Sequence, residues 1–212
     1  MKRILIPTLL VTGATLTQVV VADYVGLSYE FEDQGNGLYT MQVFADFTAS
    51  TDQLNAVFGD SQNSLNISST NGFYQNPLGG ATSASINPVL IPLFPSLAYD
   101  SWVTIGSEDN VDNAMLDIGI DWSAFESGGN IDTDNGTWFA TPADAQVFEV
   151  GGRVLIAQFT TDGDVNGTIN LQGKNADLSN WNALGVDFTT IPAPGALALL
   201  GLAGLTARRR RK

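Results

Sequence analysis

The 212-residue sequence contains no cysteine and no histidine. Without cysteine there is no disulfide framework and no thiolate nucleophile or metal ligand. Without histidine there is no Ser-His-Asp or Cys-His system and no imidazole to titrate near neutral pH. Stability must therefore come from an apolar core and from backbone pairing. Positive charge is nearly as scarce, with nine Lys and Arg against 22 Asp and Glu. Most of those cations sit at the ends, as Lys2, Arg3 and the run Arg208, Arg209, Arg210, Arg211 and Lys212, which leaves Arg153 and Lys174 for everything between. All the carboxylates fall between Asp23 and Asp187, so residues 23–190 carry two cations and 22 anions, a net charge of −20. Such a field repels phosphate backbones and argues against nucleic acid as a partner. It also keeps an exported or salt-exposed domain soluble.

What is present is a strand pattern. With 44% apolar residues the chain is long enough for one domain with a substantial core. In "YVGLSYEFE", Val25, Leu27, Tyr29 and Phe31 alternate with Gly26, Ser28, Glu30 and Glu32, which predicts one dry and one wet face. "DQGNG" supplies turn residues, and Tyr39, Met41, Val43, Ala45 and Phe47 resume the alternation, so the two segments read as an antiparallel hairpin. Further strands are expected at 65–68, 99–105, 114–122, 137–140, 153–160, 168–172 and 185–188. Four Asn-Gly pairs, beginning at Asn36, Asn71, Asn135 and Asn166, mark places where positive φ is cheap. The segment "TDQLNAVFG" reads as one short helix, capped by Thr51 or Asp52 and stopped by Gly59. Pro88, Pro92 and Pro95 keep residues 87–102 from forming a regular helix or central strand; they read as an apolar loop across one end of the body, or as a binding loop. The expected fold is all-β: a single antiparallel β-sandwich or jelly-roll-like domain over residues 23–190.

Carboxylates are the plentiful reactive groups, so a glycosidase-like pair is the enzymatic alternative. Asp117 and Asp121 would lie about 13 Å apart on a regular strand at roughly 3.3 Å per residue. Hydrolysis needs roughly 5 to 10 Å, so these two cannot pair with each other. On that strand Leu116, Ile118, Ile120 and Trp122 would share the core face. "DGDVNGTINLQG" places Asp162, Asp164 and Asn166 at alternate positions, which resembles the opening half of an EF-hand or dockerin calcium loop. Its twelfth position is Gly173, where the pattern needs a bidentate acid, and both flanks read as strands. A hairpin turn accounts for the same residues. "DTDNG", from Asp132 to Gly136, carries the same ambiguity. Trp102, Trp122, Trp138 and Trp181, with Tyr74 and Tyr99, are either core residues or a sugar-stacking platform. No cofactor is expected beyond that calcium candidate. The sequons at Asn66, Asn135 and Asn166 matter only in a host that N-glycosylates.

The two ends carry processing signals. Residues 1–22 have a basic start, a mildly apolar stretch from Ile4 to Val21, and Val20 and Ala22 where a signal peptidase reads small residues. The expected signal helix is cleaved after Ala22, following export by the Sec machinery. At the other end, Ile191 opens a three-part segment: Pro192-Ala193-Pro194-Gly195, a short apolar run to Ala207, and the basic tail from Arg208 to Lys212. The 17 residues from Ile191 to Ala207 make about 25 Å of helix, short for a permanent anchor. The cations behind them resist translocation, and the prolines hold the preceding chain extended.

This order resembles the PEP-CTERM family of bacterial sorting signals, which are recognised by an exosortase, a membrane-embedded cysteine transpeptidase-like enzyme. Pro192 and Pro194 fall on the family's two prolines, "ALALLGLAGL" on its helix, and Arg208 to Lys212 on its basic tail; Ala193 stands where the name-giving motif has Glu. The resemblance implies transient retention in the inner membrane and cleavage near Pro192 to Gly195. Release then follows to the outer surface or exopolysaccharide matrix of a Gram-negative-type bacterium. The expected function is a non-enzymatic structural or adhesive surface protein associated with exopolysaccharide. The alternatives are a secreted carboxylate-pair glycoside hydrolase and a carbohydrate-binding module.

Overall fold

The computed structural model describes residues 24–48 and 51–190. Ala22, Pro192 to Gly195 and Arg208 to Lys212 lie outside the described residues. As the alternation predicts, β1 (Tyr24–Asp33) and β2 (Tyr39–Phe47) form an antiparallel hairpin. β5 (Trp102–Val103) and β9 (Arg153–Thr161) complete a four-stranded sheet in the order β1-β2-β9-β5. The second sheet contains β3 (Gln53–Gly59), β4 (Leu65–Ser69), β6 (Leu116–Ile118), β7 (Ile131–Thr133), β8 (Gly136–Phe139), β10 (Val165–Lys174) and β11 (Asn180–Thr189). β3 and β4 lie end to end along one side of β10, and β11 lies along the other. β8 continues the pairing beside β3, β7 beside β4, and β6 closes the edge beyond β8. All these pairings are antiparallel, and the fold is an antiparallel β-sandwich.

The core fills the space between the sheets. Met41, Val43, Ala45, Ile156 and Phe159 come from the smaller sheet, and Leu54, Val57, Leu65, Ile67, Trp138, Ile169 and Leu171 from the larger. Between Gly59 and Leu65 the paired strand is interrupted, and Asn170, fully buried on β10, bridges the gap. Its Nδ2 donates to the carbonyls of Phe58 (2.9 Å) and Asn63 (2.7 Å), while its Oδ1 accepts from Gly185 N (2.9 Å) at an irregularity in β11.

Several local expectations are overturned. "TDQLNAVFG" is strand β3, not a helix. Leu54 and Val57 are three apart and both buried because Asn55 is an extra residue in the β3–β10 register: Gly173 pairs with Leu54 and Gln172 with Ala56. One bulge thus imitates helical spacing. The segment 114–122 is a strand only over β6, after which Gly119 turns at φ 76° and α1 (Ser123–Glu126) makes one helical turn. A Cβ on Gly119 would stand 2.1 Å from the carbonyl oxygen of Asn135, so this turn needs glycine. Met115 enters the core, whereas Leu116 and Ile118 are exposed on the outer face. Likewise 99–105 is a strand only at Trp102–Val103. Val25 and Phe31 are exposed; a register irregularity between Tyr24 and Gly26 lets Tyr24 turn inward and stack on Trp181 at 5.7 Å.

The proline-rich loop lies on the outer face of the smaller sheet, where Leu97, Ile86 and Trp102 cover Phe44 of β2 and Leu155 of β9 as a second apolar cluster. Two of the four Asn-Gly pairs, at Gly37 and Gly72, have positive φ. The other two do not. Gly167 lies inside β10, where the ring of Phe188 comes within 2.2 Å of the place a Cβ would occupy. Among the described residues no helix is long and apolar enough to cross a membrane.

Candidate functional site: a groove on the outer face of the larger sheet

Side chains at odd positions of β8 and even positions of β10 face outward, and so do Ala56 and Phe58 on β3 beyond the Asn55 bulge. Outward Phe139 of β8 pairs with Ala56 on one side and with Leu116 of β6 on the other, and Thr137 pairs with Phe58 and Ile118. The result is a groove of about 680 Å³ that crosses the strands. Phe58, Phe139, Ile118 and Pro142 make its apolar wall, and Asn135, Thr137, Gln172 and Asn180 supply amides and a hydroxyl. None of the residues lining it is a carboxylate, although the body is so acidic.

Asn55 decides the character of the groove. As the bulged residue it has no partner on β10, and it stays bound to the neighbouring chain through its carbonyl, which accepts from Ala140 N at 2.9 Å. The residue is among those lining the groove and is only 7% exposed. Nδ2 reaches Gln53 Oε1 at 3.4 Å, while Oδ1 has no hydrogen-bond partner. A buried acceptor left unpaired costs about 1–3 kcal/mol, and such atoms in native structures call for an explanation.

The body's two cations differ. The Arg153 guanidinium pairs with Glu30 and lies 3.9 Å above the ring of Phe44. Lys174, on the groove, donates to two neutral oxygens, Asn180 Oδ1 (3.0 Å) and Leu178 O (3.4 Å).

The residues singled out from the sequence lie elsewhere. Asp162 and Asp164 sit on the turn between β9 and β10, but Asn166 is already inside β10, its Oδ1 accepting from Thr189 Oγ1 at 2.7 Å. Strand geometry has thus pulled Asn166 out of the loop that a calcium site would require. Asp132 is held by Asn66 across the β4–β7 pair. Among the described residues no group of three or more acidic side chains is placed to hold a metal. Trp102 and Trp138 are buried, and Trp122 and Trp181 pack against the core, so the tryptophans form no outer platform. The aromatics that line the groove are Phe58 and Phe139. Their sequence signal was a bulky aromatic on the face opposite the core positions of two strands that turn out to be neighbours.

Asp117 accepts from Trp122 Nε1 (3.0 Å), and Asp121 accepts from Ser123 N at the start of α1 (3.0 Å). Asp100 is fully buried beside a smaller cleft lined by Asn76, Gly79, Gly80 and Glu126. Burial pushes its carboxyl up to about 6, with Glu126 adding to the rise and hydrogen bonds from the backbone N–H groups of Asn76, Gly80 and Ser101 opposing it. The bonds from Asn76 and Gly80, at 2.7 and 3.0 Å, tie residues 76–80 to the segment before β5, and the one from Ser101, at 3.0 Å, lies within that segment. Glu126 Oε1 accepts from Ala81 N at 3.4 Å. Both carboxylates are thus engaged in holding loops.

A pH dependence follows from Asp100. Its folded-state value lies above the ordinary 3.8, so its stabilising contribution is complete below about pH 4 and is lost as pH rises through about 6. At 1.36 kcal/mol per tenfold change, the loss is about 3 kcal/mol. Chemical denaturation of the wild type across that window should show this fall against the rising contributions of exposed carboxylates, and Asp100→Asn should abolish it. Equal pH slopes in the two proteins would rule out Asp100 as the source.

No protein-family model matches the chain, and neither a curated protein nor a solved structure matches it significantly.

Proposed function

We propose that the chain is an exported cell-surface or extracellular-matrix protein, structural or adhesive and not enzymatic, sorted by an exosortase-type transpeptidase and associated with exopolysaccharide. The observation that carries this reading is the partition of charge and motif along the chain. Seven of the nine cations stand at the ends, five of them behind an apolar segment that opens with Pro192 and Pro194, while residues 23–190 carry a net −20. A tail of that order serves transport, and an acidic body suits a protein working outside the cell. The groove supports a binding role for the body because it offers apolar surface and neutral polar groups without a carboxylate. Asp100 and Glu126, the two carboxylates at the smaller cleft, have oxygens that hold backbone amides.

The test is cell fractionation. Deleting Arg208 to Lys212, or replacing Pro192 and Pro194 by Ala, should stop processing and leave the protein in the inner-membrane fraction. Unchanged processing and surface delivery in both variants would sink the sorting route.

A further inference from the structure

We propose that the groove across β11, β10, β3, β8 and β6 binds a neutral polysaccharide segment built of hexoses with equatorial hydroxyls, one sugar ring lying against Phe58 and Phe139. This gives the proposed surface protein its ligand and rests on that reading only for where the ligand is met; the groove chemistry stands by itself.

Three observations converge. The first is the bulge at Asn55. It removes a residue from the β3–β10 ladder and leaves Asn55, one of the residues lining the groove, with a buried Oδ1 that has no hydrogen-bond partner. Bulges commonly re-aim a side chain beside a functional surface, and a hydroxyl of the ligand supplies the missing donor. The second is the pairing of surfaces. A pyranose with equatorial hydroxyls has apolar C–H faces and a polar edge. Phe58 and Phe139, both partly exposed, match the faces. Gln172, Asn135 and Asn180, each able to donate and accept, match the vicinal hydroxyls. From β11 to β6 the groove crosses four strand spacings, roughly 19 Å at about 4.8 Å each, which suits an oligosaccharide segment better than a single sugar.

The third is charge. A net −20 on residues 23–190 repels a polyuronate or polyphosphate chain. Against that field the groove offers one cation, Lys174, already bonded to Asn180 and Leu178. With no carboxylate in the lining, the groove neither attracts cations nor adds to the repulsion, and a neutral chain enters without an electrostatic cost.

The experiment is calorimetric titration of the full-length protein with cellohexaose and laminarihexaose as neutral probes and hexagalacturonate as the acidic one. At least one neutral hexamer should bind, and more tightly than hexagalacturonate. Phe58→Ala and Phe139→Ala should each weaken that binding about tenfold, the size of a lost aromatic contact. Phe58→Tyr should retain it, and Asn55→Ala should weaken it severalfold. Thermal unfolding reports whether each variant is folded. Should the alanine variants fail to fold, amide shifts in the titrated wild-type protein decide: changes confined to Thr137, Gln172 and Asn180 support the site, and changes elsewhere overturn it. The proposal also falls if no neutral hexamer binds at millimolar concentration, if hexagalacturonate binds as tightly, or if folded alanine variants bind like wild type. Each result is independent of tail processing, so failure of the groove and failure of the sorting route are separately visible.

Discussion

Replacing Asn170 by Leu should lower the unfolding free energy by about 3–5 kcal/mol, a large share of the 5–15 kcal/mol that holds a typical domain together. The side chain is fully buried and makes three hydrogen bonds to backbone groups of three separate segments: the end of β3, the loop before β4 and the irregular residue in β11. Leu is close in volume, so the cavity change is small and the effect is dominated by two carbonyls and one N–H left in a dry environment. Each such group costs about 1–3 kcal/mol, and partial relaxation of the exposed β11 edge trims the sum. Asn170→Asp keeps the acceptor for Gly185 but turns two donors into an anion facing carbonyl oxygens, and should be at least as damaging near neutral pH. Urea denaturation measures both. The Leu variant should shift the midpoint with an unchanged slope. A loss under 1 kcal/mol would mean that water or a repositioned backbone replaces the amide.

Trp138→Ala should cost about 3–5 kcal/mol, the usual range for truncating a large buried aromatic side chain. Trp138 is 1% exposed, sits on the inward face of β8, and packs near Trp122 with ring centroids 6.2 Å apart. Its indole Nε1 donates to the carbonyl of Thr104 at 3.0 Å, just beyond β5, so one side chain links the larger sheet to the smaller. Trp138→Phe separates the two contributions: most of the apolar contact survives, the bond to Thr104 is lost, and a buried carbonyl remains. The expected loss is about 1–3 kcal/mol. Guanidinium denaturation followed by far-UV circular dichroism gives both values. Equal losses for Ala and Phe would mean that the hydrogen bond dominates; a negligible loss for Ala would contradict the packing described.

The hairpin β1–β2 and much of β10 were legible because their apolar residues recur every second position, and β9 because residues 154–157 form an unbroken apolar run. Two-residue alternation is a local property, since successive side chains point to opposite faces whatever lies across the sheet. β3 was illegible for a specific reason. Its bulge at Asn55 puts Leu54 and Val57 on the same face, a spacing that alone cannot be told from one turn of helix. β6 failed differently. The alternation of Leu116 and Ile118 is real, but it identifies a face without saying whether that face meets the other sheet or a groove. The same gap hid Phe58 and Phe139, whose partnership requires β3 and β8 to be neighbours although about 80 residues separate them along the chain.

By itself the sequence determined the all-β class, the acidic body with its cations gathered at the ends, and the exclusion of thiol and imidazole chemistry, because composition and alternation need no partner to be read. Which apolar face became core, where the Asn55 bulge fell, and that Asp162, Asp164 and Asn166 lie on a turn and a strand were decided only in the tertiary structure. The reason is that strand neighbours come from distant parts of the chain. Only when β3 pairs with β10 and β8 does a local pattern acquire an inside, an outside and a groove.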